Sequence, residues 1–207
     1  MGFLLDIHCH TRRHSGCSSI DEHQVINQAI SRGLDGLILT EHHYQWSDEE
    51  LDELRQAAGN PDFLLMAAFE YSSAKGDILV YGLQPDQVEQ FEPGGDPEEM
   101  LRRAQELGAV CVAAHPTRRA IPFDQGCLRR MPINAVEVRS VNLRPFEQAE
   151  AEVLAGELGL PHTGASDAHR LEDVGAYATE FEAPIMDMAG FLNSLKRGAF
   201  RPATLRP

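Results

Sequence analysis

The feature that most constrains this chain is an alternation of short apolar runs with amphipathic stretches, in which run after run ends on a histidine or an acid. Apolar runs fall at Phe3–Ile7, Gly36–Leu39, Phe63–Phe69, Ile78–Tyr81, Val110–Ala114, Ala135–Val138, around His162-Thr163, and at Tyr177–Phe181. Runs that are continuously apolar, not alternating, belong to strands buried on both faces. With helices between them they predict an α/β protein with a largely parallel sheet. A repeating unit of roughly 25 to 40 residues suits a barrel or an open doubly wound sheet. No repeat, low-complexity tract or long linker divides the 207 residues, so residues 1–207 are read as a single domain.

The helix signals lie between the runs. Ser19 and Glu22 have capping-box spacing ahead of a stripe of Val25, Ile26, Ala29 and Ile30 that ends at Gly33. Ser47 and Glu50 repeat the box before Leu51 and Leu54. Asp96-Pro97 opens a helix closed by Gly108, another runs from Arg144 to Leu158 with Gly159 beyond it, and a last one covers Met186 to Lys196.

A formal charge of −14 excludes a surface that tracks long nucleic acids, which needs many Lys and Arg contacts to phosphates. It leaves room for an anionic substrate if bound metals and a few arginines reverse the field locally. The first residues, Met1 to Asp6, read as a strand and not as a leader. No segment is long and apolar enough to span a bilayer, so the expected location is the cytoplasm. Cys9, Cys17, Cys111 and Cys127 form no CxxC pair and read as reduced thiols.

In parallel α/β folds the carboxyl ends of the strands converge, and these ends carry the polar residues. His8 and His10 are two apart, so an extended strand points both to one face and Cys9 to the other. Glu41, His42 and His43 follow the second run, and Glu70 the third. His115 precedes the strand-breaking Pro116, and Asp167 and His169 follow the short late strand. Glu137 lies at the end of its own strand. A carboxylate directly after the Phe63–Phe69 run should be partly buried, and a buried carboxylate must be paired or hold a metal. Each feature alone has a bland reading as a solvated loop residue. Their recurrence at five strand ends does not, because folding requires nothing of the kind. Mixed imidazole and carboxylate donors suit Zn, Mn or Fe.

These residues resemble the PHP (polymerase and histidinol phosphatase) superfamily. The resemblance rests on Asp6-Ile7-His8-Cys9-His10-Thr11, Thr40-Glu41-His42, Glu70, His115-Pro116 and Ser166-Asp167-Ala168-His169, in order over residues 3 to 170. It implies a distorted (β/α)7, TIM-like barrel and a short stand-alone metal-dependent phosphoesterase. It further implies a centre of two or three divalent metals. His8, His10, Glu70 and Asp167 would hold one metal, Glu70 would bridge to a second with His115, and His42 and His169 would hold a third. Many members have a further histidine soon after the H-x-H motif, where this chain has Ser15-Gly16-Cys17. His14, Cys17 or water are the alternatives there. Many also have a histidine between the glutamate and the H-P motif, an interval in which this chain offers Asp77.

The chemistry implied is hydrolysis of a small phosphate monoester or nucleotide by water activated at metals about 3.5–4 Å apart. Arg118 and Arg139 are candidates to clamp the phosphate, and His43 to protonate the leaving group. Glu41 and Glu137 are placed outside the ligand set, orienting ligands or a water. The alternatives are a nuclease on short oligonucleotides, a C–N hydrolase, and a non-catalytic metal-binding module.

Overall fold

The computed structural model describes residues 2–120 and 122–205; Met1, Ile121, Arg206 and Pro207 lie outside the described residues. Nine strands form one sheet: β1 (Phe3–Cys9), β2 (Gly36–His42), β3 (Leu64–Ser73), β4 (Gly76–Tyr81), β5 (Val110–Ala113), β6 (Ala135–Arg139), β7 (His162–Gly164), β8 (Tyr177–Phe181) and β9 (Phe200–Thr204). Their spatial order is β7-β6-β5-β4-β3-β2-β1-β8-β9. The helices are α1 (Glu22–Ser31), α2 (Asp48–Ala57), α3 (Pro85–Val88), α4 (Pro97–Glu106), α5 (Gln125–Leu128), α6 (Pro145–Leu158) and α7 (Met188–Arg197).

The sheet curls into a nearly closed barrel, as expected, but not as a uniform seven-fold repeat. β1, β2 and β3 run parallel, and so do β5, β6 and β7. β4 is antiparallel to both its neighbours, β8 is antiparallel to β1, and β9 returns antiparallel to β8 after α7. The reason is local. Only Ala74 and Lys75 separate β3 from β4, too few residues for a crossover helix. The ends of the sheet meet at Gly164 on β7. A Cβ there would lie 2.8 Å from the Ala178 carbonyl oxygen and 3.1 Å from Pro202 Cβ. Thr179 Oγ1 accepts from Gly164 N at 3.2 Å and donates to its carbonyl at 2.8 Å, sewing the seam with a side chain.

The helix signals hold with two adjustments. Ser47 and Glu50 form the capping box of α2, Asp96 caps α4, and Gly159 ends α6 in the left-handed conformation at φ 66°. The cap of α1, however, is Asp21, whose side chain accepts from His23 N, and not Ser19. Ser19 is drawn away because its backbone and hydroxyl both donate to the His169 carbonyl. The last helix starts two residues late, after the cap Asp187.

Leu5, Ile7, Ile38, Met66, Leu79, Tyr81 and Val112 fill the barrel interior, joined by Phe191 and Leu195 of α7. Helix α7 thereby stoppers the end at which β1 begins. The opposite end is left to polar residues.

Two bulges decide which residues face that polar end. Asp6 pairs with Leu37 and Cys9 with Leu39, so β1 carries one residue more than β2 over this interval. Leu5 and Ile7 point inward below the bulge. Above it the faces exchange, placing Cys9 in the outer layer with α1 and turning His8 and His10 inward. In β6, Glu137 pairs with Thr163 but Arg139 with Gly164, again one extra residue. Glu137 faces the interior and Arg139 is turned out.

Candidate metal centre

At the polar end, imidazole nitrogens and carboxylate oxygens converge to within about 3–3.6 Å of one another. His8 Nδ1 donates to Glu137 Oε1 at 2.9 Å, which leaves the Nε2 lone pair facing the barrel axis. His10 Nδ1 is taken by Ser15 Oγ at 3.4 Å, with the same result. The two Nε2 atoms then lie 3.1 Å apart. Asp167 Oδ1 is 3.3 Å from the first and 3.4 Å from the second. Glu70 Oε2 is 3.3 Å from His10 Nε2. Donors around a metal with bonds of about 2.0–2.1 Å are separated by roughly 3.0–3.4 Å, so these spacings match the edges of a coordination polyhedron.

Glu70 is shared between two sets of donors. Its Oε1 lies 3.2 Å from His115 Nε2 and 3.6 Å from His8 Nε2, and its Oε2 lies 3.0 Å from His42 Nδ1. Register explains the last contact, since His42 and Glu70 are paired across β2 and β3. The His42 Nδ1 and His115 Nδ1 atoms are buried and find no hydrogen-bond partner among the described residues. His169 Nδ1 donates to the Asp167 carbonyl at 3.0 Å, freeing its Nε2. Its ring centroid lies 4.7 Å from that of His10, and the His42 centroid lies 4.6 Å from it. Three overlapping groups could therefore each hold an ion: His8, His10 and Asp167; His8, Glu70 and His115; and His10, His42 and His169. The donor set, nitrogen and oxygen with no thiolate, is that of a divalent transition metal.

The field at this spot favours cations. Burial alone would push His10 down, but the adjoining Asp167 and Glu70 carboxylates hold it up at about 9. His8 is likewise raised against its burial by Asp167, Glu137 and Glu70. Glu70 and Asp167 are driven below the usual carboxylate range, burial being overcome in both by the surrounding imidazoles.

Backbone strain is concentrated here. Among the described residues the only non-glycine residues with positive φ are His43 (54°), His115 (29°) and Asp167 (50°). Such conformations cost on the order of 1–3 kcal/mol each and persist only where the surroundings impose them. The impositions are visible: His43 N donates to the Glu70 carbonyl at 3.1 Å, His115 N to Glu137 Oε2 at 2.9 Å, and Asp167 N to the His8 carbonyl at 2.8 Å.

The structure thus gathers His8, His10, His42, Glu70, His115, Asp167 and His169 at one place, with Glu137 gripping two of them. Glu41 reaches the cluster through Ser15, and also binds Thr11 and the Trp46 indole. Arg139 does not join it. The β6 bulge turns its guanidinium to Glu152 on α6 at 2.5 Å, so it is corrected from phosphate clamp to strut. His43 lies beside the cluster, its amide bound to the Glu70 carbonyl. Its Nε2 accepts from Ser72 N at 3.2 Å and its ring lies edge-on to Tyr71. Burial and the neighbouring His42 lower the pKa of its ring. His14 stacks on Tyr44 at 3.6 Å, and neither it, Cys17 nor Asp77 joins a converging donor group. Arg118 is half-buried, its amide donating to the His115 carbonyl at 3.0 Å, and no described acid pairs with its guanidinium.

Two residues were missed in the sequence. Asn142 Nδ2 donates to both the Asp167 carbonyl (2.8 Å) and Asp167 Oδ2 (2.7 Å), steering that carboxylate. Nothing in the sequence marks this asparagine. Ser15 holds His10, and its only signal was its position in the gap after the H-x-H motif.

Fold and site together define a histidine- and carboxylate-lined α/β barrel built to hold divalent metal at the carboxyl end of its strands. A sequence-family model described as PHP-associated matches residues 146–200, the stretch from α6 to the start of β9. The fold is similar to that of PsfC from Pseudomonas syringae (21% identity, TM-score 0.77, covering 99% of this chain and 92% of that one). It is also similar to a protein of Bifidobacterium adolescentis assigned as a metal-dependent phosphoesterase (17% identity, TM-score 0.67, covering 94% and 96%). An amidohydrolase of Chromobacterium violaceum, solved with bound sulfate, is similar too (16% identity, TM-score 0.68, covering 97% and 98%). No curated protein sequence matches the chain. The matched segment agrees with the motif order by which the chain resembles the PHP superfamily.

Proposed function

We propose that the chain is a metal-dependent hydrolase that cleaves a small phosphate ester, a monoester or a nucleotide. His8, His10, His42, Glu70, His115, Asp167 and His169 hold two or three divalent ions (Zn, Mn or Fe). The observation that carries this reading is Glu70, one carboxylate presenting a different oxygen to each of two imidazole sets. Divalent ions bound there supply Lewis-acid stabilisation and an activated water for in-line displacement at phosphorus. The residues of the chain do the rest. Glu137 fixes the His8 ring and the strained His115 backbone, and Asn142 aims Asp167. Arg118, with no acid paired to its guanidinium among the described residues of a chain of charge −14, is the candidate to grip a phosphate oxygen pair. His43, whose buried Nδ1 has no hydrogen-bond partner among the described residues, is the candidate to protonate the leaving group. Two similar folds, one assigned as a metal-dependent phosphoesterase and one holding sulfate, a tetrahedral dianion, support the reading.

The test is elemental analysis of protein purified without chelator, followed by a panel of phosphomonoesters, phosphodiesters, short oligonucleotides and amides. Two or more equivalents of metal, lost in Asp167→Ala, with turnover of monoesters, would support the proposal. Turnover of oligonucleotides or amides alone would replace it with the nuclease or C–N hydrolase reading. Less than half an equivalent after incubation with each metal would overturn it.

A further inference from the structure

The loop between β1 and α1 carries three serines, and each ties down a histidine of the group His10, His42 and His169. Ser18 Oγ donates to the His10 carbonyl at 2.9 Å. Ser19 donates to the His169 carbonyl from its amide at 2.9 Å and from its hydroxyl at 3.0 Å. Ser15 differs in touching a ring. Its Oγ lies 2.5 Å from Glu41 Oε2, 3.4 Å from His10 Nδ1 and 3.2 Å from the His42 amide nitrogen.

A serine hydroxyl has one proton and two lone pairs. The other groups within hydrogen-bonding reach of the Glu41 carboxylate, namely Thr11 N, Thr11 Oγ1 and Trp46 Nε1, are all donors. Ser15 must therefore give its proton to Glu41 and receive at its lone pairs. The His42 amide fills one. The other can be filled only by a protonated His10 Nδ1, and that commits His10 Nε2 to carry a lone pair toward the metals. Ser15 is buried (1% exposed), so bulk solvent does not reach its hydroxyl. The residue stands in the stretch where the family resemblance anticipates a histidine and this chain has none.

We infer that Ser15 is a positioning residue for the metal centre: backed by Glu41, it sets the His10 tautomer and ties the His42 backbone to the same point. Metal-ligating histidines are commonly oriented by a carboxylate or carbonyl on their second nitrogen. Here the carboxylate acts through an interposed hydroxyl. The inference rests on the metal-centre reading above, and its test separates the two.

The experiment compares wild type, Ser15→Ala and Ser18→Ala. Zn²⁺ affinity is read by competition with a fluorescent chelator, and the His10 tautomer by ¹⁵N ring shifts in the metal-free protein at a pH above the His10 value of about 9, where the ring is neutral. The inference expects Ser15→Ala to lose about tenfold or more in Zn²⁺ affinity. It also expects the His10 ring to pass from a pure Nδ1–H form to a mixture. Ser18→Ala removes a hydroxyl from the same loop that touches backbone groups and no imidazole ring, the His10 and His169 carbonyls and the Ile20 amide, so it should leave the tautomer unchanged. Ser15→Cys, of similar size and a weaker acceptor, should fall between wild type and alanine, and it replaces the alanine variant if that does not fold. Wild-type tautomer and affinity in the Ser15 variants, or equal losses in Ser15→Ala and Ser18→Ala, would overturn the inference while leaving the metal centre intact. No Zn²⁺ binding by wild type would overturn the metal-centre reading and this inference with it.

Discussion

Replacing Glu137 by glutamine tests how far one buried carboxylate organises the centre. Glu137 is fully buried, with Oε1 accepting from His8 Nδ1 and Oε2 from His115 N, both at 2.9 Å. A glutamine of the same shape keeps one oxygen and presents an NH₂ where the other stood. If the NH₂ faces His115 N, two donors meet across a strained residue. If it faces His8, the ring must shift its proton to Nε2 and so withdraw the lone pair from the metal. Loss of such an orienting partner lowers metal affinity by about 10–100-fold, or roughly 1.4–2.7 kcal/mol. In the metal-free protein one hydrogen bond to a charged acceptor is lost, worth about 1.5–3 kcal/mol, partly offset by removing a buried charge. The net fall should be about 1–2 kcal/mol, or about 2–8 °C in Tm for a chain of this size. Chelator competition with Zn²⁺ and calorimetry of the metal-free protein measure the two effects separately. A Glu137→Gln protein with Zn²⁺ affinity within twofold of wild type would refute the claim that Glu137 sets the His8 ring.

Three further outcomes follow. Stripping the metals with a chelator should lower stability by about 2.7 kcal/mol relative to protein held at one hundred times its metal Kd, and restoring Zn²⁺ should recover the loss in a thermal melt. Arg118→Ala should raise KM for a phosphomonoester at least tenfold while Arg118→Lys recovers part of it, as steady-state kinetics would show, because a lysine supplies charge without the bidentate fork. Glu147, the third residue of α6, accepts from Arg144 N at 2.7 Å and Arg119 N at 2.8 Å, tying the Arg118 loop to the helix. Burial raises its protonation, but these two amides and the nearby arginines outweigh that and lower it. A lowered carboxylate contributes stability above its unfolded pKa and loses it as pH falls through the folded value. The acid side of a Tm–pH curve should therefore be shallower for Glu147→Gln than for wild type.

The helical and strand periods, the caps and the motif order settled in advance what kind of molecule this is. Asp96-Pro97 opens a helix and Gly159 closes one because those residues carry their preference wherever they stand. The donors of the centre were legible for a related reason: they follow apolar strands, and the carboxyl ends of parallel strands meet in any α/β barrel. Where the sequence misled, a contact from elsewhere in the chain outbid a local rule. Ser19 has the spacing of a cap, yet the His169 carbonyl claims it. Glu137 and Arg139 are two apart and should share a face, yet a bulge of one residue sends Arg139 to Glu152.

The composition and spacing of this chain determine by themselves that it folds as an α/β unit with histidines and carboxylates at its strand ends. Only the tertiary structure decides their geometry. The bulge in β1 turns His8 and His10 inward, since the pleat that points Ile7 to the core would otherwise send His8 outward. Pairing of β2 with β3 sets His42 against Glu70. Asn142 and Ser15 acquire their roles from partners 25 and 26 residues away, Asp167 and Glu41. Spacing along a strand carries information only while the pleat stays regular, and bulges, register and long-range hydrogen bonds come from the balance of the whole fold.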